Sequence, residues 1–370
     1  MAYRQLGVAL EVLATFLKNN KLYQVFMAKQ SSQRKARAIG VLKVVQPTVE
    51  PRSGMLELAT GHQIYYADSG GSGPVLFYLY GLGCSIAHWK YQLAYFASEH
   101  PGAQPPALQG SAIPVPPYRQ VWFDFRGHGR SPPLPAGEKL TMCTIVADVV
   151  ALANFLGIRQ ATFLGQSMGG SLVLQLARDY PKLVRSLVLL ASPVRNPSHT
   201  LPMQPFSSWL WRSVMTVQER MPAAVKYANI FNALLLQYPV LAVPLREFLR
   251  VQGFNPNLAQ TADVDEYVRQ MLAIDVRLFT ALAAELNDFD AVHFARQIKC
   301  PVLMIAGAHD LVVPPSESRR LLRHLPNGQL ALIPHGSHCP HFDDPTLVNA
   351  ILAEFFRTPD GMATAAPHER

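Results

Sequence analysis

Short apolar runs alternate with longer stretches of helical spacing along most of the chain, from about residue 55 onward. Six of these runs are rich in β-branched or aromatic residues and have the length of buried strands: 74–80, 119–125, 161–165, 185–191, 301–307 and 329–334. Two earlier runs, 55–59 and 63–68, predict a hairpin at the start of the sheet. The segments between strands have lengths that suit crossover helices: 86–98, 140–156, 168–179, 316–324 and 345–356. The pattern therefore predicts an α/β fold with a mostly parallel central sheet flanked by helices.

Two long segments interrupt this alternation. Residues 101–117 contain six prolines and lie between a helix and the next strand, which predicts an excursion far from the carboxyl ends of the strands. Residues 195–286 are rich in tryptophan, methionine and leucine, and we expect them to form a mostly helical cap inserted after the sixth strand. The predicted organisation is a basic amphipathic extension (1–52), a sheet domain (53–194 and 287–357), a cap (195–286) and a flexible tail (358–370).

The composition permits one large globular domain or a domain with an insertion, since 49% of the 370 residues are apolar and the mean hydropathy is +0.10. The four cysteines form neither a CxxC pair nor a dense framework; they are Cys84, Cys143, Cys300 and Cys339. We therefore expect reduced thiols rather than a disulfide scaffold or a zinc ribbon.

The net charge of +8 is concentrated at the N-terminus. Residues 1–45 hold eight basic residues and one acid, Glu11, which is +7 of the total and leaves the rest of the chain nearly neutral. A nucleic-acid-binding protein is expected to carry its basic residues on the folded domain, so this distribution argues against a nucleic-acid partner.

The same segment has the pattern of an amphipathic helix. Leu6, Leu10 and Leu13 recur at helical spacing, and Glu11 interrupts any run long enough for a membrane span or a signal peptide. Three interpretations stay open: a helix on a membrane surface, an organelle transit peptide, and a helix docked on its own domain. The first predicts peripheral membrane contact through residues 1–45 and a cytoplasmic or peripheral membrane location.

The stretch FLGQSMGGSL, residues 163–172, places a serine at a strand-to-helix junction. Gly165, Ser167 and Gly169 match G-x-S-x-G, which in this context predicts a tight turn that raises the Ser167 Oγ above the sheet. Glycine is needed where the strand and the helix approach closely. The backbone N–H of Met168, at the start of the helix, is then placed to donate to an oxyanion. A phosphate loop is disfavoured because G-x-x-x-x-G-K-[ST] is absent.

A catalytic serine requires a base and an acid that orients the base. The acid is expected between the serine and the histidine in chain order, and Asp310 directly follows the strand 301–307, at the carboxyl edge of the sheet. Asp288 and Asp290 precede that strand and are the rival acids. The base has three candidates in PHGSHCPHFDDP: His335, His338 and His341.

Several motifs together resemble the α/β-hydrolase superfamily, in particular its capped esterase, lipase and peroxidase-like branch, over residues 53–357. They are GLG at 81–83 with Trp89, DFRGHGRS at 124–131, GQSMGG at 165–170, GAHDLVVPP at 307–315 and GSHCPHFDDP at 336–345. In that family the catalytic histidine is followed five residues on by an acid and seven on by a proline. Only His338 fits, with Asp343 and Pro345, so the resemblance implies a triad of Ser167, His338 and Asp310.

A metal site formed by His335, His338 and His341 is the competing hypothesis for the histidine cluster. The prolines and the glycine among them oppose a continuous helix that would align the three imidazoles. A metal site would also leave Ser167 and Asp310 without a role, so we expect neither a metal nor a cofactor.

The sequence departs from the family in the turn after the third strand, where Tyr80-Gly81 replaces the usual His-Gly. The second oxyanion donor is expected to be the backbone N–H of Leu82, together with that of Met168, and the substitution at Tyr80 leaves such a backbone donor in place. The motif DFRGHGRS is expected to form a glycine-bent surface turn rather than a basic binding site.

These features predict a serine hydrolase that cleaves carboxylic esters through an acyl-enzyme and takes a small-molecule substrate. The apolar residues of the cap favour a medium or long acyl chain, as in a lipid-derived ester. Acyl transfer, thioester hydrolysis and carbon–carbon bond hydrolysis use much the same triad and stay open, as does a catalytically silent receptor or scaffold.

Overall fold

Eight strands in the described residues form one sheet. The structure is a computed structural model that describes residues 51–97, 118–135, 137–196 and 222–357. The strands are β1 (Arg52–Glu57), β2 (Gln63–Asp68), β3 (Val75–Leu79), β4 (Arg119–Phe123), β5 (Ala161–Gln166), β6 (Val184–Leu190), β7 (Val302–Gly307) and β8 (Gly328–Ile333). Their order is β1-β2-β4-β3-β5-β6-β7-β8; β2 pairs antiparallel with β1 and with β4, and every other pair is parallel.

The strands at the centre of the sheet lack a polar face. Every residue of β5 and of β7 is buried, as expected for parallel strands covered on both sides. Phe77 of β3 and Phe163 of β5 pack with their ring centroids 5.2 Å apart. The continuous apolar runs in the sequence are therefore the consequence of burial on two faces, and all eight predicted strands are confirmed.

The predicted boundaries differ from the observed ones where backbone pairing, rather than side-chain pattern, decides them. Strand β1 begins at Arg52, three residues before its predicted start, because residues 52–54 pair with the end of β2. The helix predicted over 86–98 begins as a 3₁₀ turn at Ile86–Trp89, where the Ser85 hydroxyl accepts the Ala87 N–H at 3.2 Å.

Helices follow most of the strands. Their bounds are α1 (Lys90–Ala97), α2 (Met142–Phe155), α3 (Met168–Asp179), α4 (Pro222–Gln237), α5 (Val243–Gly253), α6 (Thr261–Ala273), α7 (Val276–Asp288), α8 (Pro315–Leu322), α9 (Pro340–Asp343) and α10 (Pro345–Arg357). Helix α1 packs against α10, and α2 packs against α3. These contacts cover the sheet with the helices that the crossover segments predict.

Helices α4–α7, called the cap helices below, lie between β6 and β7 in the chain, where the sequence predicts a helical insertion. Helix α6 packs against both α4 and α5, and α7 packs against α4. A buried aromatic cluster joins the cap to the sheet domain: Phe254 follows α5, Phe342 belongs to α9 and Tyr91 belongs to α1.

Several predicted segments lie outside the described residues. They are the basic extension up to residue 50, the proline-rich segment 101–117, the cap residues 197–221 and the tail 358–370. The expectations for these segments therefore stay predictions.

Candidate active site

Ser167 lies in a strained turn between β5 and α3. Its φ is 50° and its ψ is −123°, a left-handed conformation that residues other than glycine rarely adopt. The Ser167 N–H donates to the carbonyl of Leu190 at 2.9 Å, and the Ser167 carbonyl accepts the N–H of Gly170 at 2.8 Å. The turn is thus held from the neighbouring strand β6 and from its own helix.

The glycines around Ser167 are required by close backbone approach. A Cβ at Gly165 would stand 2.3 Å from the carbonyl carbon of Gly169, and a Cβ at Gly169 would stand 2.5 Å from the carbonyl oxygen of Leu79. Both distances are far shorter than any van der Waals contact. The close strand–helix approach predicted from the motif is therefore present in the fold.

Asp310 lies in the loop after β7, with its side chain buried. Its Oδ1 accepts the N–H groups of Val312 and Val313, each at 2.8 Å. This arrangement leaves Oδ2 free to face His338, whose Nδ1 lies 3.0 Å away. The rival acid Asp290 instead accepts the N–H of Val292 and lies 3.4 Å from His293.

His338 connects the other two residues. Its Nδ1 contacts Asp310 and its Nε2 lies 3.1 Å from the Ser167 Oγ. A neutral imidazole with the proton on Nδ1 satisfies both contacts, because Nδ1 then donates to the carboxylate and Nε2 accepts the hydroxyl. The structure therefore brings the three predicted residues into one hydrogen-bonded chain.

The other two histidines of the cluster lie elsewhere. His341 is fully buried, and its ring packs 5.6 Å from that of Trp89 and 4.6 Å from that of Phe342. His335 is exposed, and its backbone carbonyl accepts the side-chain amide of Asn255. Within the ranges that the structure describes, no three histidine, cysteine or acidic side chains are grouped as metal ligands are.

The loop that carries His338 is held by Asp343. The carboxylate of Asp343 accepts the N–H and the hydroxyl of Ser337, each at 2.6 Å, and the N–H of Asn255 at 2.7 Å. Burial raises the pKa of Asp343 to about 7. The acid of the family motif thus supports the histidine loop and ties it to the cap segment after α5.

The two predicted oxyanion donors belong to segments that adjoin Ser167. Met168 is the first residue of α3, where a helix leaves backbone N–H groups without an intrahelical partner. Leu82 follows Gly81, at which a Cβ would stand 3.1 Å from the Cβ of Ser167 and 2.5 Å from the Oε1 of Gln166. The turn after β3 therefore passes directly beside the serine.

Tyr80 holds the start of that turn through its side chain. Its hydroxyl accepts the backbone N–H of Phe125 at 2.7 Å, and its ring stacks on the Phe125 ring at 4.2 Å. Burial raises the pKa of Tyr80 well above its ordinary value, so the phenol stays neutral. This contact with the chain after β4 fixes the start of the turn where the family usually has histidine.

The motif DFRGHGRS is structural in this fold. Arg126 forms a two-point ion pair with Asp148 of α2, at 2.8 and 2.6 Å, and both side chains are buried. His128 is buried as well, and burial lowers its pKa to about 4. The carboxylate of Asp124 accepts the N–H of Arg130 at 2.9 Å. The motif therefore forms a glycine-bent turn as expected, but the expectation of a surface turn is wrong, because most of its side chains are buried.

His88, which the sequence did not single out, forms a buried pair with His341. His88 and His341 lie with their ring centroids 5.8 Å apart. Burial lowers the pKa of His88 to about 3 against an opposing contribution from Gln166, and burial lowers the pKa of His341 well below its ordinary value. Both imidazoles are neutral near neutral pH. The only local signal is position, since Gln166 precedes Ser167 and His88 precedes Trp89.

Cap side chains lie over the turn after β3. A Cβ at Gly83 would stand 2.6 Å from the sulfur of Met271 in α6 and 3.4 Å from the ring of Phe279 in α7. The side-chain oxygen of Gln270 accepts the N–H of Ser85 at 2.9 Å. The cap helices thus place apolar groups beside Gly83 and hold the turn by a hydrogen bond.

The apolar-substrate prediction is based on the tryptophans, methionines and leucines of the cap, and these residues differ in exposure. Leu235 is buried, whereas Phe231, Leu234 and Leu236 are exposed. The tryptophans of the cap, Trp209 and Trp211, lie outside the described residues. The apolar side chains at the site come instead from α6 and α7.

Comparison with known proteins places this site in a family. The family model of the alpha/beta hydrolase fold matches residues 74–345. RutD of Shigella flexneri, whose assigned name is that of a carbamate hydrolase, is 28% identical over 287 residues, which cover 78% of this chain and 91% of that protein.

Solved structures of low identity share the fold. An esterase from Exiguobacterium antarcticum is 17% identical, with a TM-score of 0.62 over 83% of this chain and 100% of its own. The enol-lactonase from Burkholderia xenovorans LB400 is 19% identical, with a TM-score of 0.58 over 82% of this chain and 100% of its own. Together with the sheet order and the family match, they show that the chain is a member of the α/β-hydrolase family.

Proposed function

We propose that this protein is a serine hydrolase that cleaves carboxylic esters through an acyl-enzyme. The observation that carries the proposal is the hydrogen-bonded chain from Ser167 through His338 to Asp310, at a turn whose strain is maintained by the surrounding backbone. Stored strain at a polar residue is typical of a functional site. A serine that only packed would gain nothing from such a conformation.

The geometry suits the following steps. His338 Nε2 takes the hydroxyl proton as the Ser167 Oγ attacks the acyl carbon, and the carboxylate of Asp310 stabilises the imidazolium. The N–H groups of Met168 and Leu82 donate to the developing oxyanion. His338 then protonates the departing alkoxide, which leaves the acyl group on Ser167. Water, deprotonated by His338, attacks that ester, releases the carboxylic acid and returns the proton to Ser167.

The surroundings of the site support an apolar substrate. Met271 and Phe279 of the cap helices lie over Gly83, in the turn that passes beside Ser167. Apolar linings usually hold apolar groups. We therefore infer a preference for medium or long acyl chains, such as those of lipid-derived esters, over acetate.

Carbamate hydrolysis is the second candidate, because the RutD relative that matches over most of both chains is named for it. A carbamate presents the same carbonyl to Ser167 and the same oxyanion to the backbone donors. It differs in the carbamoyl intermediate, which is less electrophilic than an acyl ester and leaves the serine more slowly. The two functions therefore separate in the deacylation rate.

The decisive variant is Ser167→Ala, and its matched control is Ser171→Ala. Ser171 lies four residues on, in α3, fully buried, with its hydroxyl donating to the carbonyl of Pro193 at 2.8 Å. Only Ser167→Ala should lose labelling by a fluorophosphonate probe and hydrolysis of p-nitrophenyl esters, with both variants folded by circular dichroism. Turnover by folded Ser167→Ala would refute the mechanism.

A panel of p-nitrophenyl acetate, octanoate and a dialkyl carbamate then identifies the substrate class. Higher kcat/KM for octanoate than for acetate supports the apolar acyl group, and the reverse order contradicts it. Steady turnover of the carbamate, without progressive inactivation, would favour the second candidate. A wild-type protein that neither reacts with the probe nor hydrolyses the panel would favour a silent scaffold.

A further inference from the structure

The exposed apolar side chains of this protein are concentrated in one place. Ten of the thirteen large apolar side chains that are exposed in the described residues lie between residues 227 and 248: nine in α4, the 3₁₀ turn Pro239–Ala242 or the adjoining α5, and Tyr238 between the first two. The most exposed are Val240 at 75%, Tyr227 at 70% and Leu241 at 57%. Single exposed apolar residues are ordinary on a protein surface, but a contiguous group marks a contact surface.

This region is sharply bent, and its most exposed residue lies near the bend. Residues 225–237 and 239–253 form two helical arms bent by 113°, and Tyr238 and Pro239 lie at the bend. We call α4, the 3₁₀ turn and α5 the elbow. Val240 and Leu241 lie just past its bend, so the apolar groups protrude there. A protein partner would need a matching apolar groove, whereas a lipid layer deforms around a protruding group.

The backbone of the elbow can enter an apolar medium at low cost. The Tyr238 N–H donates to the carbonyl of Leu234 and the Leu241 N–H to the carbonyl of Tyr238, each at 2.9 Å. Pro239 has no N–H to satisfy. The break between the helices therefore exposes few unpaired amides, which is the main requirement that lipid imposes on a polypeptide.

The charges around the elbow agree with the same environment. Lys226 is the only charged residue between 222 and 245, and the first acid after residue 222 is Glu247. Tyr227 and Tyr238 are exposed, and tyrosine side chains favour the boundary between lipid and water. Within the described ranges no single helix has the length and hydropathy of a membrane span. The two arms of the elbow have that length and hydropathy only when they are taken together. These features fit shallow insertion.

We propose that the elbow inserts into the headgroup region of a phospholipid bilayer. The surface adjoins the candidate site, because α6 packs against both arms of the elbow and carries Met271 over Gly83. Insertion would therefore bring the cap side of the site to the lipid surface. The binding itself does not depend on catalysis, so it is tested independently of the proposed hydrolase activity.

The test compares Leu241→Asp with Phe155→Asp in the full-length protein. Both side chains are 57% exposed, but Phe155 ends α2, away from the elbow, so the two variants add the same charge to equally exposed apolar positions. We expect sedimentation with phosphatidylcholine vesicles to fall at least ~10-fold for Leu241→Asp and to stay near wild type for Phe155→Asp, because only the first position contacts acyl chains. The milder Val240→Ser serves if Leu241→Asp does not fold.

High salt should leave binding to neutral vesicles unchanged, since the contact is apolar. Equal sedimentation of Leu241→Asp and wild type would overturn the proposal. So would a wild-type protein that ignores the vesicles and instead forms a dimer that Leu241→Asp dissociates, because the elbow would then bind a second copy.

Discussion

His338 Nε2 lies 3.1 Å from the Ser167 Oγ although 171 residues of chain separate the two. Each side chain is held by its own neighbours, Ser167 through the carbonyl of Leu190 and His338 through the loop that Asp343 supports. No single helix, strand or hairpin contains both residues. Ser167 follows β5 and His338 follows β8, so their alignment depends on the order β5-β6-β7-β8 in the sheet.

Asp310→Asn should reduce kcat on a short p-nitrophenyl ester by ~10³- to 10⁴-fold with the protein still folded. The amide oxygen can keep the hydrogen bonds from Val312 and Val313, which turns the amide N–H₂ toward His338. Nδ1 must then accept, so Nε2 carries the proton and cannot take one from Ser167. Asp290→Asn, at the rival acid, should retain full activity. Comparable losses in the two variants would contradict the assignment.

Gly165→Ala and Gly169→Ala should each destabilise the fold by ~2–3 kcal/mol or prevent folding, because the added methyl group would overlap backbone that cannot move. The control is Gly54→Ala in β1, where the Cβ would meet only the Tyr66 ring at an ordinary 3.7 Å. Urea unfolding midpoints measure the difference. A Gly169→Ala protein as stable as Gly54→Ala would show that the strand–helix contact is looser than described.

Tyr80→Phe should lower the free energy of unfolding by ~1–3 kcal/mol, because it leaves the buried N–H of Phe125 without its acceptor. The exposed Tyr180 offers the matched control, and Tyr180→Phe should have almost no effect. Both are read from urea denaturation. If the two variants unfold alike, the Tyr80 hydroxyl does not brace the turn after β3.

The free energy of unfolding should decrease as the pH is lowered, partly because His341 is buried. Burial holds its pKa in the folded protein well below the ~6.5 of an unfolded chain, so the unfolded state binds the extra proton. The contribution of His341 is therefore fully present above pH ~6.5 and is lost as the pH falls below that value. The slope amounts to ~1.4 kcal/mol per pH unit for one proton.

In His341→Phe, unfolding between pH ~6 and ~4 should take up about one proton fewer than in the wild type. The free energy of unfolding, measured with urea at several pH values, should therefore depend less steeply on pH. Asp343, whose pKa is raised to about 7 by burial, contributes a slope of opposite sign, but it does so in both proteins and cancels in the comparison. His335→Phe, at an exposed position, should leave the slope unchanged. An unchanged slope in His341→Phe would mean that this imidazole is accessible to protons in the folded state.

We also propose that residues 1–45 attach the protein to anionic membranes, since they carry a net charge of +7 with apolar residues at helical spacing. The variant Leu10→Asp with Leu13→Asp should lose the salt-sensitive part of binding to vesicles that contain phosphatidylserine. Thr15→Asp, on the polar side of the predicted helix, should lose less. If both variants bind like wild type, the segment has another role, such as targeting or docking on its own domain.

Much of the fold was predictable because the pattern that encodes it is local. Strands β5 and β7 are continuous apolar runs because both faces are buried, and α3 follows β5 at a spacing that only a tight turn permits. Ser167 and Asp310 are recognisable for the same reason, since each directly follows a strand of a parallel sheet and all such ends meet at one edge. The family motif was needed to identify His338. The sequence places three histidines close together, and their chemistry alone does not distinguish which one is the base.

The contacts between distant segments followed only from the tertiary structure. The sequence shows Tyr80 in place of histidine, but its hydroxyl finds a role only where the chain after β4 passes within 2.7 Å. The leucines of α4 have the hydropathy of a core, yet Leu235 is buried while Leu234 and Leu236 are exposed, because only Leu235 lies on the side of α4 that packs in the cluster around Phe254. Periodicity reports which residues share one side of a helix. It does not report what packs against that side, since burial depends on the position of every other segment.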